Sequence, residues 1–282
     1  MATTPFVTAE WLQARLGAPD IVILDGSWYL PAQGRDARAE YLAGHIPGAI
    51  RFDIDTMSDE TSPLPHMLPR PEVFASRMRA LGVGDGAHIV VYDGMGLFSA
   101  PRVRWMLKTF GVRDVEILEG GFPAWVAAGY PVEEGEGRPR ARRHFTARLD
   151  HGAVADAGDI ARALELGNAQ VVDARSGARF RGEEAEPRPG VRPGHMPGAR
   201  NVHYAALQSQ GRLKDEPALR AVFAENDVDV SRPVFTTCGS GVTAAIVGLA
   251  LETLGRPPRA LYDGSWSEWG SDPERPVATG PA

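Results

Sequence analysis

The chain has a single cysteine in 282 residues, Cys238. One thiol excludes an intrachain disulfide, so the expected setting is a reducing cytoplasm. No apolar run approaches the roughly 18 residues of a membrane span. The opening stretch "MATTPFVTAEWLQARLG" lacks the basic start, apolar core and small-residue cleavage site of a secretory leader. Positive charge is not in excess either: Lys+Arg total 30 against Asp+Glu 36, a net charge of -6, which argues against a general nucleic-acid binder. Nearly all the basic residues are arginine, interleaved with acids. Their one cluster, "RPRARRH" at 138–144, follows "EEGEG" and reads as solvated linker. No set of histidines has metal-ligand spacing. With 43% hydrophobic and 23% charged residues, the chain reads as an ordinary globular protein whose partners are small molecules or proteins.

What the sequence does have is an internal repeat. "GHIPGA" at 44 returns as "GHMPGA" at 194, and Asp25, Phe74 and Trp125 are answered by Asp173, Phe223 and Trp269 at a nearly constant offset. A nearly constant offset means two copies of one domain with small insertions. "DGSW", present at 25 and at 263, is out of that register and is a coincidence. Within each copy, buried-strand runs such as "DIVILDG", "AHIVVYD", "AQVVDAR" and "RPVFTTC" alternate with helical segments such as "RPEVFASRMRALG" and "EPALRAVFAEN". This alternation predicts an α/β fold of two tandem domains, each a mainly parallel sheet flanked by helices. The expected boundaries are 1–135, a linker at 136–150, and 151–282. The histidines of the two "GH-PGA" motifs, His45 and His195, occur in both copies and read as parts of a structural turn.

The thiol lies in the second copy. Aligning "HIVVYDGMG" with "PVFTTCGSG" sets Asp93 opposite Cys238, so only one copy carries a nucleophile. A ligand of an open parallel sheet binds beyond the carboxyl ends of the strands, which is where Cys238 falls. In the loop "CGSGVT", Gly239 and Gly241 let the backbone curl with its amides inward, and a helix expected to begin near Val242 adds its positive end. Both effects stabilise a thiolate. A lone cysteine is often just a small buried hydrophobe; the strand, glycine loop and helix favour the nucleophile.

The tandem repeat, the cysteine-less first copy with Asp93, "GHMPGA", and above all "CGSGVTA" followed by "YDGSWSEW" resemble the rhodanese superfamily, over residues 6–277. Rhodanese itself carries a basic loop of the form C-R-K-G-V-T, whereas here Gly239 and Ser240 supply no charge. The resemblance is therefore to the branch whose sulfur donor is 3-mercaptopyruvate rather than thiosulfate, which would gain from positive charge. It implies a persulfide on Cys238, held by the loop Gly239, Ser240, Gly241, Val242 and Thr243, with no metal and no cofactor. It also implies that Arg179 and Arg188 bind the donor's carboxylate and carbonyl, a task suited to the guanidinium fork. Arg181 is the neighbour most easily mistaken for one of them. Ser240, His66 and Asp55 match the family's proton-handling group. Because Asp55 and His66 belong to the first copy, the site is expected where the copies meet. The acceptor implied is a thioredoxin-like dithiol, a small thiol, or cyanide in assays.

Three other functions compete. A thiosulfate:cyanide sulfurtransferase differs only in donor. A cysteine phosphatase of the same superfamily needs a C-x5-R loop, but the arginine position here is Ala244. A non-catalytic sensor or interaction module does not need an intact cysteine loop.

Overall fold

The structure, a computed structural model, describes residues 4–137 and 140–282. Arg138 and Pro139, part of the segment read as linker, lie outside the described residues, as do the first three of the N-terminal stretch.

Two compact units make up the chain. The first comprises residues up to Glu60, Leu68–Asp150 and Gln210–Arg212; the second comprises Thr61–Met67, His151–Ser209 and Leu213–Ala282. The first unit is built on strands β1 (Phe6–Val7), β2 (Ile21–Asp25), β3 (Ile50–Arg51), β4 (His88–Tyr92) and β5 (Val115–Leu118), in the order β1-β5-β4-β2-β3, every neighbour parallel. The second unit repeats this plan. Across its sheet run Val154–Ala155, Ala260–Tyr262, Val234–Thr237, Gln170–Asp173 and Arg200–Asn201, again all parallel.

The central strands are buried because the sequence makes them apolar on both faces. All five residues of "IVILD" in β2 are buried, as are the last four of "HIVVY" in β4, the pattern of a sheet covered on both sides. Helices return the chain between strands with local signals. Pro71 opens Pro71–Ala80, and Asp156 caps Ala157–Leu166 in a reciprocal capping box with Asp159. Phe74 and Phe223 hold equivalent buried places on Pro71–Ala80 and Glu216–Glu225, each contributing about 1.5–3 kcal/mol through burial.

The repeated tryptophans do the same work twice. Trp125 is fully buried and donates its indole N–H to Pro131 O at 2.7 Å; Trp269 is buried and donates to Pro276 O at 2.8 Å. His45 and His195 are buried as well. Each pairs its backbone with a later segment of its own unit, at Glu133 and Ala278, while its Nδ1 bonds a carbonyl, Tyr41 O or Phe180 O. Residues up to Asp150 belong to the first unit, where Phe145 is buried and its carbonyl accepts from Arg79.

Candidate active site

Val234–Thr237 is the middle strand of the second sheet, and the residue at its carboxyl end is Cys238, 2% exposed. The amide of Gly241 donates to Cys238 Sγ at 3.1 Å. Gly241 has φ +81°, a conformation that a side chain disfavours, and this explains the glycine.

The carbonyl side of the loop is tied elsewhere. Trp266 N donates to Cys238 O at 2.9 Å, and Ser267 donates to Gly239 O from both N (2.9 Å) and Oγ (2.6 Å). Ser265, at φ +52°, donates its hydroxyl to Tyr262 O and accepts from Cys238 N at 3.4 Å. These serines and Trp266 are the "GSWS" of the second copy, so this motif is the clamp that holds the loop open toward Sγ.

Two details refine the expected loop. Gly239, unlike Gly241, has no positive φ; what marks it is that Arg179 lies against it. A β-carbon built there would stand 3.1 Å from Arg179 Nη2, tighter than ordinary van der Waals contact. The helix after the loop begins at Ala244, with Thr243 as its N-cap, so Val242 belongs to the preceding turn.

Asp93 holds the matching place in the first unit. It follows β4, and its carboxylate accepts four backbone amides: Met95 at 2.8 Å on Oδ1, and Phe98, Ser99 and Ala100 at 2.7, 3.0 and 2.9 Å on Oδ2. Its carbonyl accepts from Phe122 N at 3.0 Å, just as Cys238 O accepts from Trp266 N. The loop of this fold is therefore an anion nest, demonstrated by the anion it already holds.

His66 belongs to the second unit, not the first: Thr61–Met67 packs there although it lies in the first half of the chain. His66 is buried at φ +61°, and its Nδ1 lies 3.0 Å from Ser240 Oγ and 3.3 Å from Ser240 O. Asp55 is in the first unit, on the short helix Ile54–Met57, where Trp28 Nε1 donates to its carboxylate at 3.1 Å.

Arg179 lies on the helix Gly177–Arg181, capped by Ser176. Glu186 holds it side-on: Nε donates to Oε1 at 3.2 Å and Nη2 donates to Oε2. Arg188 follows on the same loop, half-buried. Arg181 instead pairs with Glu183 at the surface.

Arg175 and Glu186 were missed by sequence reading. Arg175 is buried, bonds Asp173 with Nε and Nη2, Glu186 with Nη1 at 2.7 Å and Gly194 O at 2.8 Å, and stacks over Trp266 at 4.4 Å. Burial pulls its pKa down, but Asp173 and Glu186 outweigh that and hold it above the ordinary arginine value. Asp173 was visible as a repeat marker. Nothing in "GEEAEPRPG" distinguishes Glu186 from Glu183 and Glu184.

A cysteine at the end of a middle parallel strand, with the Gly241 amide on its sulfur, stands in one of two matching α/β units. The Rhodanese-like domain matches residues 8–128 and 156–272, and the chain belongs to the rhodanese-like family as a tandem of two domains. The 3-mercaptopyruvate sulfurtransferase of Escherichia coli (strain K12) is 49% identical over 98% of this chain and 99% of its own. The human protein of that name is 47% identical over 93% and 91%. The crystal structure of SseA from Escherichia coli, described as showing the rhodanese fold and catalytic mechanism of 3-mercaptopyruvate sulfotransferases, is 48% identical. It superposes with a TM-score of 0.86 and covers 94% of this chain and 100% of its own.

Proposed function

We propose that this chain is a 3-mercaptopyruvate sulfurtransferase, working in the cytoplasm, that carries sulfur as a persulfide on Cys238. The observation that carries the reading is the Gly241 amide donating to Cys238 Sγ at 3.1 Å, ahead of the ten-residue helix Ala244–Thr253. An amide donor and a helix N-terminus both stabilise negative charge that develops at this position during transfer.

The thiolate attacks the sulfur of 3-mercaptopyruvate. An S–S bond forms as the C–S bond breaks, and the electron pair leaves on carbon as the enolate of pyruvate. The enolate takes a proton to become pyruvate while the donor's thiol proton is released as the persulfide ionises, so no net proton is consumed. Ser240 and His66, 3.0 Å apart in the second unit, are assigned to move that proton; Asp55 joins them in this reading only through the resemblance. Arg179 and Arg188 hold the donor's carboxylate and carbonyl. A small thiol, a thioredoxin-like dithiol or cyanide then removes the outer sulfur and restores the thiolate.

Asp93 supports the persulfide step through its shape. An aspartate reaches from Cβ through Cγ to Oδ, and a persulfide reaches from Cβ through Sγ to its outer sulfur. Phe98, Ser99 and Ala100, the donors to Asp93 Oδ2, immediately precede or open the helix Ala100–Thr109. By the helix starts they correspond to Val242, Thr243 and Ala244. Those three amides are assigned to hold the outer sulfur, within the loop Gly239–Thr243 and one residue beyond it.

The test is kcat/KM with each donor in turn, cyanide as acceptor. The reading expects 3-mercaptopyruvate to exceed thiosulfate; an equal or reversed order favours the thiosulfate enzyme instead.

A further inference from the structure

We infer that Glu186 sets the donor charge this site accepts, by holding Arg179 side-on and cancelling its positive charge. The inference rests on the reading that Arg179 grips the donor's carboxylate. Glu186 is almost completely buried, its side chain 4% exposed, and each of its oxygens is engaged by Arg179. Arg175 bonds the same Oε1 at 2.7 Å and is itself locked to Asp173. Asp173, Arg175, Glu186 and Arg179 therefore form a buried chain of alternating charges that sums to zero.

Geometry follows from which nitrogens Glu186 takes. It occupies the Nε–Nη2 side of the Arg179 guanidinium, and among the described residues no acceptor is bonded to Nη1. The Nη1–Nη2 end is the one that lies against Gly239, next to Cys238: a β-carbon at Gly239 would stand 3.1 Å from Nη2 and 3.9 Å from Nη1. Glu186 thus aims the remaining fork at the nucleophile's loop, where a carboxylate can be gripped with two N–H bonds.

Charge is the other half of the device. Arg179 presents donors whose formal charge is already balanced, which suits the monoanionic carboxylate of mercaptopyruvate more than a dianion. Removing the Glu186 charge adds a net positive unit beside the loop. Coulomb attraction grows with the ligand's charge, so thiosulfate gains twice what a monoanion gains. Mercaptopyruvate meanwhile loses the aimed fork. A residue that merely supports the fold would depress both donors alike.

The experiment is kcat/KM for 3-mercaptopyruvate and for thiosulfate in three variants, with thermal unfolding measured for each. Glu186→Gln keeps the size of the side chain but removes its charge and one of its two acceptor oxygens, and it should raise the thiosulfate to mercaptopyruvate ratio about tenfold. An unchanged ratio overturns the inference. Glu186→Asp keeps the charge with a shorter reach, so it should keep the wild-type ratio even where both rates fall; a ratio shifted toward thiosulfate overturns the inference, and this holds if the glutamine variant does not fold. Arg179→Ala separates the two claims. If it leaves mercaptopyruvate use unchanged, the assignment of Arg179 fails and the inference with it. If Arg179→Ala abolishes that use while Glu186→Gln leaves the ratio unchanged, the inference alone fails.

Discussion

Asp93 in the first sheet and Cys238 in the second stand at the same point, each just past the end of the middle strand; four amides of its loop meet Asp93 and one, that of Gly241, meets Cys238 Sγ. Asp93→Ala leaves four amides, three of them buried, without an acceptor and should cost about 3 kcal/mol, read as a lower midpoint in urea unfolding. An unchanged midpoint contradicts the nest as a source of stability. Asp93→Cys in a Cys238→Ser background should gain no persulfide from mercaptopyruvate, because the first loop is one residue longer before its helix and has Met95 where the second has Ser240, although Arg35, held by Glu40 beside Gly94, matches Arg179. Sulfur found on residue 93 would show a second competent pocket.

The hydroxyl of Ser240 is the nearer of the two Ser240 oxygens that meet His66 Nδ1. Ser240→Ala keeps the loop backbone and removes that 3.0 Å link, and it should slow the donor half-reaction about a hundredfold, within the range of lost acid–base help. Rapid-mixing measurement of pyruvate release isolates that step. Wild-type release rates in the variant would remove Ser240 from proton handling.

Donor choice should respond to the loop at Gly239. The Arg179 guanidinium lies 3.1 Å from where a β-carbon would be, so Gly239→Arg with Ser240→Lys both adds charge and pushes Arg179 aside. The thiosulfate to mercaptopyruvate ratio of kcat/KM should rise. Arg188→Ala should lower mercaptopyruvate use by about ten- to a hundredfold, the worth of one charge-assisted contact, and thiosulfate use less. A double loop variant that keeps the wild-type donor ratio would show that neither loop charge nor Arg179 placement selects the donor.

Acid should weaken the second unit through His195. Burial holds the His195 pKa below its ordinary value of 6.5, and its ring stacks on Phe180 with centroids 3.8 Å apart. The unfolded chain therefore binds a proton, as pH falls through 6.5, that the folded chain resists. The stability is present above that pH and is lost below it. His195→Asn should flatten the slope of unfolding free energy between pH 6.5 and lower values, by at most about 1.4 kcal/mol per pH unit. Equal slopes in both proteins would mean that His195 protonates as readily folded as unfolded.

Much of the scaffold could be read before any coordinates because its signals are local. Runs such as "IVILD" and "VFTT" have nowhere to go but a covered sheet, and a strand, glycine loop and helix around one thiol announce a site. The misreadings share a cause: they concern which parts of the chain meet. Gly239 reads as a turn glycine, yet what marks it is the contact with Arg179, which lies 60 residues earlier in the chain. His66 sits in the first copy by position, yet its segment packs on the second unit. Glu186 is one of three glutamates in a short stretch, and only burial against Arg175 and Arg179 singles it out. Ser265 and Ser267 were visible inside a motif, but their role as a clamp on the Cys238 loop depends on carbonyls that no pattern reveals.

The central claim is that sulfur passes through Cys238. Intact-protein mass spectrometry after brief exposure to 3-mercaptopyruvate tests it most directly, with released pyruvate measured in the same sample. The expected result is one added sulfur atom per chain, mapped by peptide analysis to Cys238, matched by one pyruvate, removed by cyanide, and absent from Cys238→Ser. Pyruvate released without sulfur on the protein, or the same turnover in Cys238→Ser, would contradict the account.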